Sequence, residues 1–169
     1  MRYIVLFVML LAGISAYAQA APDTKGSARG SAKARREARK VAFAANTSRL
    51  IESKSFVFRP ITMQNVVSGT THNIFAYYLY AAVDKDTFIL HLPVEFTSYV
   101  IDTINLDTYI YNYTATLTEG NWRITFSFLN GAERWFAEYF ISTITGQARL
   151  ALVTPRGVMR YLGTIEKNG

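Results

Sequence analysis

The sequence predicts a mainly β protein: an antiparallel meander forming a curved sheet, sandwich or half-closed barrel, with one N-terminal amphipathic helix packed against it. Three observations carry this prediction. Beyond Ser55 apolar and polar residues alternate with a period near two, turn residues interrupt them at hairpin spacing, and no helical crossover separates the strands. Parallel pairing needs such a crossover, so the strands should pair antiparallel.

The chain opens with Arg2, an apolar stretch from Ile4 to Ala12 and small residues ending Ala16-Tyr17-Ala18. This is the three-part layout of a secretory signal peptide over residues 1–18, cut between Ala18 and Gln19. The apolar stretch is shorter than the roughly 20 residues that span a bilayer, so the mature chain is expected to carry no transmembrane segment. There is no cysteine. Disulfides, thiolate metal sites and lipoprotein acylation are excluded with it. The expected location is periplasmic or secreted.

Residues 19–31 are rich in Ala, Gly, Ser and Lys and read as a flexible linker. A single β-rich domain over 32–167 follows, beginning with a helix at 32–53. In that helix Phe43, Ala44, Thr47, Leu50 and Ile51 form the stripe that lies on a core. The charge is concentrated here: residues 25–54 carry nine Lys or Arg against two Glu, a net of +7, while 55–169 carry eight against nine.

The strands are expected at 55–59, 62–67, 73–83, 87–92, 108–118, 122–129, 133–143, 147–153 and 158–165. Trp122, Ile124, Phe126 and Phe128 should face the core, and so should Tyr109, Tyr111, Tyr113, Ala115 and Leu117. Turns are marked by Asp84-Lys85-Asp86, Glu119-Gly120-Asn121, Asn130-Gly131, Thr145-Gly146 and Pro155-Arg156-Gly157.

The order of these features resembles the DUF4251 family of exported Bacteroidetes proteins, over about residues 34 to 166. The resemblance is carried by Leu50 to Phe58, Leu92-Pro93, Trp122 to Phe128, Gly146 to Val153 and Tyr161-Leu-Gly-Thr-Ile165. After Leu-Pro the family usually has aromatics and a Gly, where this chain has Val94-Glu95-Phe96-Thr97. The resemblance implies the fold and an exported location and supplies no reaction.

Chemistry is sparse. His72 and His91 are 19 residues apart, without the close spacing that a metal site uses. No nucleophile elbow and no phosphate loop is present, and no cofactor or metal is expected. Asp84, Asp86, Glu95, Asp102 and Asp107 with a histidine leave a hydrolase as an alternative. Asp102-Thr103-Ile104 resembles the Asp-Thr-apolar sites at which Bacteroidetes attach O-glycans. Aromatic residues dominate instead. Tyr77, Tyr78 and Tyr80, and Trp135, Phe136 and Tyr139, lie on strands with rings on both faces, which points to a surface for an apolar, glycan or protein partner. Arg35, Arg36, Arg39 and Lys40 offer a second alternative, docking on an anionic envelope surface. Export disfavours nucleic acid. The function expected is therefore that of an exported, non-enzymatic binding or scaffold module of the bacterial envelope.

Overall fold

The structure, a computed structural model, describes residues 24–65, 69–96 and 101–168, and side chains within 32–64, 69–94 and 102–168. The leader, with Ala18 and Gln19, lies outside them. The chain divides into two compact units after Arg35. The first contributes the opening of helix α1 (Thr24–Glu52). The expected linker is therefore helical from Thr24 onward: Lys25, Ala28 and Arg29 favour helix strongly enough to carry it through Gly26 and Gly30.

The second unit holds the rest of α1 and ten strands. These are β1 (Ser55–Asn65), β2 (Thr71–Asn73), β3 (Tyr80–Asp84), β4 (Thr87–Phe96) and β5 (Ile101–Tyr109), then β6 (Tyr111–Thr118), β7 (Asn121–Asn130), β8 (Glu133–Ser142), β9 (Gln147–Thr154) and β10 (Gly157–Lys167). All pairs are antiparallel, in the order β5-β4-β3-β1-β10-β9-β8-β7-β6, with β2 on β1. The sheet folds over on itself without closing into a barrel. Phe88 on β4 meets Phe126 on β7 edge to face, ring centres 4.8 Å apart, although five strands separate them in the sheet.

Several boundaries differ from expectation, among them the end of β4, which runs on to Phe96. The runs 55–59 and 62–67 are one strand, β1, whose register shifts between Pro60 and Thr62. Proline has no N–H to give the ladder, so the break is a bulge rather than a strand end. Residues 73–83 are two strands joined by a loop at 74–79. The segment from 101 to 107, expected as a loop, is part of the edge strand β5, and the run expected at 108–118 is divided between β5 and β6.

β5 and β6 are one extended run that changes neighbours at Ile110, whose N–H donates to the Asp86 carbonyl at 2.8 Å. The alternation changes phase two residues later, at the bulge between Tyr111 and Thr114 where Asn112 takes a φ of 56°. Ile104, Leu106 and Ile110 pack inward before the bulge and Tyr113 and Ala115 after the change of phase. Tyr109 and Tyr111 are accordingly exposed, contrary to expectation, and so is Leu117.

Among the expected stripe residues of α1, Thr47 and Ile51 are buried and Leu50 half-buried. Tyr113 Oη donates to the Ile51 carbonyl at 3.3 Å, and Trp122 Nε1 donates to Ser48 Oγ at 3.1 Å. Phe43 is partly exposed but rests on Gly146, where a Cβ would lie 2.6 Å from the ring. The helix ends as Lys54 turns to a φ of 50°. The interior is filled by Phe56, Phe58, Phe88, Phe126, Phe128, Tyr139 and Tyr161 with the aliphatic residues between them.

Candidate functional site

The loop at 74–79 presents the most exposed rings among the described residues. Ile74 and Leu79 are buried and Ala76 packs on the core, so the residues between them must point outward. Phe75 and Tyr77 are each 90% exposed. The loop is nevertheless held. The Ile74 N–H donates to the Ile61 carbonyl at 2.7 Å, and the Arg59 guanidinium donates to the Tyr77 carbonyl at 3.2 Å. Arg59 is itself fixed by Glu166 at 2.7 Å and lies over the Tyr80 ring.

The register brings Tyr80 and His91 together. Tyr80 stands opposite His91 on β4, and His91 opposite Asn105 on β5. His91 Nδ1 pairs with Asn105 Oδ1. The imidazole then lies 5.7 Å from the Tyr78 ring and 6.2 Å from Tyr80, and Tyr77 meets Tyr78 edge to face at 6.1 Å. Tyr77, Tyr78, Tyr80 and His91 thus form one aromatic platform beside Phe75.

Trp135, Phe136 and Tyr139 do not join it. Strand alternation turns Trp135 and Tyr139 inward and Phe136 and Phe140 outward. Tyr139 is fully buried against Phe56 at 5.5 Å and Phe58 at 5.9 Å, so it is a core residue rather than a contact residue. Burial pushes its phenol well up, with the nearby Tyr113 adding to the shift, and its oxygen has no hydrogen-bond partner among the described residues. Trp135 lines a cavity of about 510 Å³ at the end of the sheet remote from α1, with Ile104, Val158 and Met159. Its Nε1 donates to Glu133 at 3.1 Å.

The carboxylates considered for hydrolysis are dispersed. Asp86 pairs with Lys54 at 3.5 Å in the β3–β4 turn, Asp102 borders the Trp135 cavity, and Asp107 is exposed on β5. Asp84 is half-buried at the end of β3, and the Glu95 side chain lies outside the described ones. His72 sits on β2 opposite Met63. His91 takes an amide, not a carboxylate, as its partner. Among the described residues no three His, Asp or Glu side chains converge on a metal position. Thr103 is half-buried on β5.

Arg35, Arg36, Arg39 and Lys40 are all exposed, and Lys40 pairs with Glu37 at 3.1 Å. At about 100° per residue, Arg36, Arg39 and Lys40 fall on the same side of the helix as Phe43, Thr47 and Leu50. They continue the docking stripe instead of facing away from it. Among the described residues no helix is long and apolar enough to cross a membrane.

Comparison with known proteins agrees with the architecture. The crystal structure of a DUF4251 family protein from Bacteroides eggerthii DSM 20697 superposes with a TM-score of 0.62 at 11% identity, covering 75% of this chain and 88% of that one. At that identity the likeness shows the fold alone. No curated protein matches the chain. The family described as Domain of unknown function (DUF4251) matches residues 38–165, the end of α1 and nearly the whole sheet. The chain belongs to the DUF4251 family.

Proposed function

We propose that the protein is an exported, non-enzymatic binding module of the bacterial envelope, with the platform of Phe75, Tyr77, Tyr78, Tyr80 and His91 as its contact surface. The observation that carries this reading is the 90% exposure of Phe75 and Tyr77 on a loop whose backbone is pinned by buried neighbours and by Arg59. Two large rings in water gain nothing for the fold, and tyrosine beside arginine is the composition of contact surfaces that bind through few residues. Pinning lowers the ordering cost of association. The leader-like opening of the sequence supports export.

The reading is tested by comparing the mature protein with a Phe75→Ser, Tyr77→Ser double variant, each immobilised and exposed to solubilised envelope. The variant should keep the wild-type melting temperature and lose the bound material. Equal retention by both proteins would remove the platform as the contact surface.

A further inference from the structure

A second surface lies on the outer face of the sheet, across β8, β9, β10 and β1. Two adjacent rungs build it. On one, Gln64, Arg160, Ala151 and Glu138 stand side by side, and on the next Thr62, Leu162, Arg149 and Phe140 do. The small Ala151 between the longer Arg160 and Glu138 leaves a depression, and the groove over these rungs encloses about 670 Å³.

The charges around the groove are unbalanced in a specific way. On a neighbouring rung Arg59 is bridged to Glu166, and on the groove's own rungs Glu138 is bridged to Arg123, which stands opposite Phe140, each at 2.7 Å. Arg149 and Arg160, which flank the depression, have no carboxylate within ion-pair distance among the described residues. Arg149 instead lies 6.0 Å over the Phe140 ring, which holds the guanidinium at the groove. Strand geometry places the two arginine Cα atoms about 8 Å apart, close enough for both heads to serve one ligand.

The remaining groups restrict what that ligand is. The four strands are interior to the sheet, so their backbone donors and acceptors are already paired, and the edge that borders the groove at Thr71 belongs to the three-residue β2, too short to template a peptide strand. The exposed apolar side chains lining the groove are Phe140 and Leu162, both beside guanidiniums, and the exposed Phe136 and Val153 lie beyond Glu138 and Ala151 on the next rung, so no continuous channel is left for an acyl chain. What is offered is two planar cations that fork carboxylate or phosphate, the hydroxyl and amide groups of Thr62 and Gln64, and one ring with one aliphatic side chain, while the Glu138 carboxylate at the rim is taken up by Arg123. Anionic groups, hydroxyls and a flat C–H face occur together in an acidic sugar chain.

We infer that this groove binds an acidic polysaccharide segment, with its anionic groups on Arg149 and Arg160 and a sugar face against Phe140 and Leu162. The site is separate from the aromatic platform and does not rest on it.

The test titrates the mature protein with a short oligogalacturonate, with its methyl ester, with inorganic phosphate and with vesicles of phosphatidylglycerol. The oligogalacturonate should bind and the ester should not. Affinity should fall with added salt, and Arg149→Ala and Arg160→Ala should each weaken binding about tenfold or more. Phe140→Ala should weaken it several-fold without altering the salt dependence, and Arg156→Ala, away from the groove, should leave it unchanged. Failure of the oligogalacturonate to bind, or equal binding of the ester, would overturn the proposal. So would indifference to both arginine substitutions, phosphate alone binding as tightly as the oligomer, or vesicles competing through the same arginines. A variant lacking Phe75 and Tyr77 should bind the oligomer normally, which keeps the two sites distinguishable.

Discussion

The phenol of Tyr161 on β10 donates to the carbonyl of Pro93 on β4 at 2.6 Å, across the interior of the curled sheet. The Leu92-Pro93 pair and the Tyr161-Leu-Gly163 string, two of the segments by which the chain resembles its family, therefore meet in space. Pro93 precedes the register shift of β4 against β5, and the buried phenol supplies its carbonyl with a donor. Replacing Tyr161 by Phe removes this buried hydrogen bond, at a cost of about 0.5–1.5 kcal/mol. Urea unfolding should show a lower midpoint with an unchanged slope. An unchanged midpoint would show that the bond contributes nothing.

The same substitution at Tyr139 should act in the opposite direction. Its oxygen is fully buried without a partner, so removing it relieves a desolvation penalty and leaves the rings of Phe56 and Phe58 in contact. Tyr139→Phe is expected to raise stability by up to about 1 kcal/mol in the same urea experiment. A clear loss of stability would contradict the unpaired oxygen.

Gly163 tests the bulge in β1. A Cβ there would stand 2.0 Å from the Arg59 carbonyl oxygen and 2.8 Å from its carbon, and β1 is held in place from both sides. Gly163→Ala should cost about 3 kcal/mol or more. Gly131 has a φ of 61° and open space around it, so Gly131→Ala should cost only the left-handed backbone term of about 1 kcal/mol. Thermal melts of the two variants should rank them in that order, and equal melting temperatures would refute the close approach.

Alkaline pH should destabilise the fold. Burial pushes Tyr113 up to about 12, and pushes Tyr139 and Tyr161 upward as well. Unfolded phenols ionise near pH 10, so above that pH the unfolded chain holds fewer protons than the native one and stability falls as pH rises. Below about pH 10 this contribution is fully present. Each buried phenol adds a slope of up to about 1.4 kcal/mol per pH unit in the window between its unfolded and folded values. Phenolate absorbance should show these tyrosines ionising together with unfolding. Their ionisation in the folded protein near pH 10 would contradict the burial.

The hairpins of β7 to β10 were legible because one face is wet and the other dry, as in Trp122, Ile124, Phe126 and Phe128. β5 was not. Its outward residues include Asn105 and Asp107, and polar side chains on an edge strand, which discourage pairing with other molecules, look like loop in a sequence. Tyr109 and Tyr111 were misplaced because a bulge at Asn112, with a φ of 56°, reverses the alternation after them, and nothing in the period marks it. On β8 both alternations are aromatic, so period alone could not say that Tyr139 is core and Phe140 surface. Phe75 was hidden inside an apparent strand, and its exposure follows from the inward pull of Ile74 and Leu79. Arg149 and Arg160 become neighbours only when β9 and β10 form a hairpin.

The pairing of β1 with β10, with Phe56 opposite Lys167, sets the order in which the molecule can be completed. β1 emerges first from the ribosome among the strands, yet its long partner is the last to appear. Until then both β1 and β9 present a bare, sticky margin, and the high contact order of this junction makes its formation slow. Chains stopped short of β10 should therefore accumulate as aggregates instead of as smaller folded forms.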